Sequence, residues 1–104
     1  MPAATRGRAE GQRWRTVKAR IIRRDHGICH LCGGPGADSA DHLVPESHGG
    51  ARYDPANLAA VHHQVWPRCN RIRGDRSIDE ARRAIADEIA RAVAQQAGQA
   101  TLTW

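Results

Sequence analysis

Three cysteines constrain this chain more than any other feature. Cys29-His30-Leu31-Cys32 runs directly into Gly33-Gly34, and Cys69 stands far downstream. Two thiolates separated by two residues can grip one ion, and the glycines let backbone amides turn towards the sulfurs. An odd number of cysteines does not make a disulfide framework. Met1 to Glu10 has no apolar run and nothing approaches the ~20 apolar residues of a membrane span, so the expectation is a cytoplasmic setting with reduced thiols. Zinc is the ion that such sulfurs select, and its tetrahedral shell asks for a fourth ligand. The histidines nearest Cys69 are His62 and His63, and the spacing alone leaves both open. The chain also needs a staple. Of its 104 residues only 40% are apolar and none is Phe. A core this thin supplies at most ~3–5 kcal/mol in so small a domain.

Charge follows position. Residues 1–34 and 61–76 are net basic, 35–60 is net acidic, and Arg supplies all but one of the basic residues. Two basic segments around an acidic centre suit a phosphate-gripping frame around a cation-binding middle. Residues 1–11 lack periodicity and read as a disordered basic arm. From Gln12 to about Asp25, Trp14, Val17 and Ile21 share one helical face, and Gly27 ends the helix. Glycines 33, 34 and 36 with Pro35 make turn material. Short strands are expected at Ala40–Val44 and Asn57–Val61, and a short helix at Arg68–Arg73, stopped by Gly74. Ser77 and Glu80 form a capping box for a last helix carrying Ile78, Ile85, Ile89 and Val93 at helical spacing up to Gly98. Residues 12–76 would be the functional domain, 77–98 a helix packed on it, and 99–104 a tail.

Between the cysteines lie Asp41-His42-Leu43-Val44-Pro45, then Gly49-Gly50, Asn57-Leu58 and Cys69-Asn70-Arg71-Ile72-Arg73-Gly74. An adjacent Asp-His pair can serve one site only where the strand ends or bends, because neighbours on a strand face opposite ways. The ordered series CxxC, DHxxP, GG, NL and CNxxxG resembles the HNH endonuclease family, particularly its small zinc-stapled phage-type members, across about residues 13–76.

That resemblance implies an α+β fold, a small ββα-metal finger flanked by an N-terminal and a C-terminal helix. It implies that His42 is the general base that activates water. Asp41 and Asn70 would ligate one Mg²⁺ or similar divalent cation, and Asn57 would tie down the loop that orients His42. Cys29, Cys32 and Cys69 would hold a structural Zn²⁺. The family's fourth zinc ligand is displaced here by Gln64-Val65-Trp66-Pro67-Arg68, and counting from Asn57-Leu58 favours His62 over His63. The substrate would be DNA, with Arg20, Arg23, Arg24, Arg71, Arg73 and Arg76 gripping phosphates. Phage packaging, intron homing and restriction all use this scaffold, so phage packaging proteins are partners that the resemblance allows. The chemistry suits these residue types independently. An imidazole is a usable base near neutral pH, and a hard cation on oxygen ligands neutralises charge on a leaving oxygen. The main rival is a non-catalytic zinc-finger-like DNA-binding module, which would have no need of Asp41, His42 and Asn70 together. An RNA-binding knuckle is disfavoured by the scarcity of stacking aromatics.

Overall fold

A computed structural model describes the backbone of residues 2–102 and the side chains of residues 9–98. Three helices surround one hairpin: α1 (Pro2–Arg24), β1 (Ser39–His42), β2 (Leu58–Val61), α2 (Cys69–Arg73) and α3 (Ile78–Leu102). The strands pair antiparallel, with Ser39 opposite Val61 and His42 opposite Leu58. Short 3-10 turns at Glu46–His48 and Pro55–Asn57 lie in the long connection between them. This is the expected α+β arrangement, a two-stranded sheet flanked by helices. Among the described residues no helix is long and apolar enough to cross a membrane.

A two-stranded sheet is stable only when something covers it. β2, Leu58-Ala59-Ala60-Val61, is buried along its whole length. On one side Ile21, Ala40 and Leu58 pack with Trp14 and Val17, so the apolar stripe of α1 is the cover. On the other, Cys29, Leu31, Val61 and Cys69 pack with Ala81 and Ile85 of α3, with Ile72, Ile78 and Ile89 at the margin. Both clusters are small, in keeping with the composition. Polar staples reinforce them. Arg24 grips Asp25 through two nitrogens and also donates to Pro55 O (2.8 Å) and Leu58 O (2.6 Å), while Asp25 accepts from Ala60 N. That pair fastens the end of α1 to the start of β2.

The boundaries shift from those read in the sequence. α1 begins at Pro2, so the helix expected from Gln12 extends back through the segment read as a basic arm. β1 stops at His42, two residues short of Val44. α3 starts behind Ser77, whose Oγ accepts from Glu80 N, but it continues past Gly98 to Leu102. One glycine costs only ~1 kcal/mol in a helix, and the alanines around it favour continuation. Of the tail, Thr103 and Trp104 lie outside the described residues. The α3 stripe is also shorter than expected: Ile78, Ile85 and Ile89 reach the core, whereas Val93 is 58% exposed.

Candidate metal centre and active site

The knuckle turn brings Cys29 and Cys32 to one end of the sheet, with Gly34 N donating to Cys32 Sγ. β2 delivers His62 as the residue after its last position, and Cys69 opens α2 beside it. The ligand atoms of Cys29, Cys32, His62 and Cys69 lie within 4.8 Å of one another, and three of the four residues are buried. His62 Nδ1 is 3.3 Å from Cys32 Sγ and 3.7 Å from Cys69 Sγ. Zinc bonds of ~2.3 Å to sulfur and ~2.0 Å to nitrogen put such atoms roughly 3.5 Å apart in a tetrahedron. His62 Nε2 donates to Pro35 O at 2.7 Å. A carbonyl can only accept, so Nε2 carries the proton and Nδ1 offers its lone pair to the ion. Burial pushes the Cys69 thiol far above its ordinary range, and the neighbouring sulfurs add to it; burial also raises Cys32. Coordination would relieve this by turning the thiols into metal-bound thiolates. The cluster fits a structural zinc, and it contains His62 rather than His63.

The loop between the strands is closed by Asn57. Its Oδ1 accepts from Val44 N, and its Nδ2 donates to Val44 O and Ala51 O, all within 3.0 Å. Gly50 permits that closure, since a Cβ there would sit 1.7 Å from Val44 O. The loop then returns past the end of β1 and sets Arg52 O 3.0 Å from His42 Nε2. Again the acceptor must be the carbonyl, so in the neutral ring Nε2 is protonated and Nδ1 is the basic nitrogen. From the opposite face Trp14 stacks on the imidazole, centroids 5.4 Å apart and planes 14° from parallel.

Asp41 faces away from His42, as strand alternation requires. Arg73 Nη1 lies 2.5 Å and His30 Nε2 2.9 Å from Asp41 Oδ2. Arg73 also donates to the carbonyls of His42, Leu43 and Arg76, and only 4% of it is exposed. It was expected among the phosphate-gripping arginines, and this corrects that assignment. Four acceptors surround its guanidinium, so it clips α2 to the end of β1 and is not offered to a ligand. Asn70 makes its contact through Nδ2, 3.5 Å from His63 Nδ1. Among the described residues no hydrogen bond joins Asp41, His42 and Asn70. The contacts of Asp41 fall on Oδ2 and the side-chain contact of Asn70 falls on its nitrogen.

The other arginines divide. Arg24 bonds Asp25 and two carbonyls, and 45% of its side chain stays exposed. Arg71 is exposed and holds Gln64 Oε1, and Arg76 is exposed and donates to Ile72 O. Arg20 and Arg23 stand exposed on α1. Sequence reasoning missed four contributors: Trp14 as a stacking partner, His30 against Asp41, the Arg24–Asp25 clip, and Asp38. The last accepts from His63 N (2.6 Å) and Gln64 N (3.0 Å) and so fixes the segment after His62. For His30, the placement of a polar residue inside the knuckle was the available signal.

An antiparallel hairpin, a short helix clipped to the end of β1 through Arg73, and a Cys₃His cluster at the other end fit a small ββα-metal finger. Residues 29–76 match the HNH endonuclease family. That segment is therefore similar to an HNH endonuclease domain. No curated protein and no solved structure matches the chain.

Proposed function

We propose that the protein is an endonuclease that hydrolyses DNA phosphodiester bonds with His42 as general base. The observation that carries this reading is the Nε2–H bond from His42 to Arg52 O, which leaves Nδ1 unprotonated at the end of β1. Nδ1 takes a proton from water, the water oxygen bonds to phosphorus, and the bond from phosphorus to the 3′ oxygen breaks. The leaving oxygen collects a proton from solvent, giving a 5′-phosphate and a 3′-hydroxyl. Asp41 and Asn70 would hold a divalent cation, Mg²⁺ or similar, which supplies charge neutralisation at the leaving oxygen. Asn57 and Gly50 act through the loop, by keeping Arg52 O where the imidazole needs it. Zinc on Cys29, Cys32, His62 and Cys69 keeps the hairpin and α2 together. Arg20, Arg23, Arg24, Arg71 and Arg76 are exposed and would steady phosphates, in a salt-sensitive way.

One observation favours the alternative of a non-catalytic DNA-binding module: Asp41 is paired with Arg73 and His30 instead of meeting Asn70. Plasmid cleavage with and without Mg²⁺, comparing wild type with His42→Ala, separates the two. The expected result is Mg²⁺-dependent cleavage by wild type, abolished in the variant, with zinc content and DNA binding retained. Cleavage at an equal rate by both proteins would sink the mechanism, and DNA binding without cleavage by either would favour the module.

A further inference from the structure

α1 lies outside the matched segment, yet it touches the imidazole and the loop that supports it. A histidine's outer torsion has broad minima, so the ring plane is set by its surroundings and not by its own rotamer. Two neighbours set it here. The edge is fixed by Arg52 O at 3.0 Å and the face by Trp14, stacked at 14°. Trp14 is itself held by packing with Ile21, Ala40 and Leu58. The loop supplying Arg52 O is fastened to the same helix: Tyr53 donates to Glu10 Oε2, Arg13 lies 3.9 Å over the Tyr53 ring, and Arg52 pairs with Glu10 at 3.5 Å. Face and edge supports of His42 therefore both lead back to one helix, between Glu10 and Trp14.

We propose that Trp14 is a positioning residue for the His42 base, and that α1 completes the active site from outside the HNH segment. The inference rests on the nuclease reading, but its first test does not. Trp14→Leu keeps a smaller apolar side chain against Ile21 and Leu58 and removes the flat face; Trp14→Phe keeps a flat face. Long-range ¹⁵N–¹H spectra at one fixed pH report which His42 nitrogen bears the proton. Wild type and Trp14→Phe should show the Nε2–H form, whereas Trp14→Leu should show a mixture of both forms. In plasmid cleavage, Trp14→Leu should lose about 10- to 100-fold in kcat, the size of loss that mispositioning a reacting group brings, with KM within about twofold. Trp14→Phe should recover most of that rate. Zinc content and the amide spectrum of β2 and α2 should be unchanged in both, which a general loss of folding would not allow. A wild-type tautomer in Trp14→Leu, or a wild-type kcat, would overturn the proposal. Wild-type protein that never cleaves DNA would instead overturn the nuclease reading, and the tautomer comparison would still decide what Trp14 does.

Discussion

Arg73 shows how one side chain can look functional in the sequence and prove to be architecture. A basic residue four positions after Cys69 and just before a glycine reads naturally as a phosphate contact. In the fold, the helix that starts at Cys69 points it inward, where Asp41 and three carbonyls satisfy it. Removing one partner of a buried ion pair costs ~3–5 kcal/mol, because the other charge is left uncompensated. Arg73→Ala should therefore lower stability by about that amount, seen as a fall in the denaturant midpoint with zinc bound. Arg20→Ala, on an exposed stretch of α1, should leave stability within about 0.5 kcal/mol. Equal stability of the two variants would show that the Asp41 pair contributes nothing. The residue types at the site were legible because adjacent Asp and His, a downstream Asn and three Cys are rarely brought together by chance. Their partners were not, since Arg73 with Asp41, His30 with Asp41 and Trp14 with His42 are long-range meetings that no local spacing encodes.

At the scale of elements, the loop between β1 and β2 is the piece on which the candidate base depends. Gly50 fits there because its hydrogen occupies the place where a Cβ would collide with Val44 O and crowd Asn57 Nδ2. Gly50→Ala should push the loop away from Asn57, move Arg52 O and cut cleavage at least tenfold, while zinc binding, built on other elements, stays intact. Asn57→Ala should act in the same direction and cost about 1–3 kcal/mol, from three hydrogen bonds of modest net worth each. Circular dichroism, zinc content and plasmid cleavage together check this, and undiminished cleavage by Gly50→Ala would remove the loop from the mechanism. The glycine pair and Asn57 could be read in the sequence, as could the α1 stripe of Trp14, Val17 and Ile21. The helix ends could not. Residues 2–11 have no apolar period to reveal the first turns of α1, and Gly98 carries too small a penalty to stop an alanine-rich helix.

At the scale of the whole molecule, few apolar groups are buried among the described residues, and charge and a bound metal would supply what the core does not. The carboxylates contribute in a definite pH window. Asp25 is held below the usual carboxylate range first by its hydrogen bond to Arg24, with Ala60 N assisting against burial. For Asp38, burial acts upward but the N–H donors of His63 and Gln64 outweigh it, and the net shift is again downward. Groups with a depressed folded pKa stabilise the fold above their unfolded value near ~3.9, and that stability is lost as pH falls through the folded value. Asp25→Asn and Asp38→Asn should therefore lower the melting temperature at neutral pH and converge with wild type in strong acid. Zinc would act on a larger scale. Cys29 and Cys32 precede the hairpin, His62 follows β2 and Cys69 starts α2, so one ion would cross-link every part of the domain between the two long helices. Purified protein should carry about one zinc without any being added, because binding and folding are the same event when the site forms only in the fold. Cys32→Ser and His62→Ala should each lose the ion and most of the cooperative unfolding transition. His63→Ala, which removes no ligand, should be mild, and Asp41→Ala should keep its zinc while losing activity. Metal analysis that finds no zinc in well-folded protein, or a His62→Ala variant that retains it, would break the assignment, and the two small clusters around Ile21 and Ile85 would then have to hold the hairpin alone.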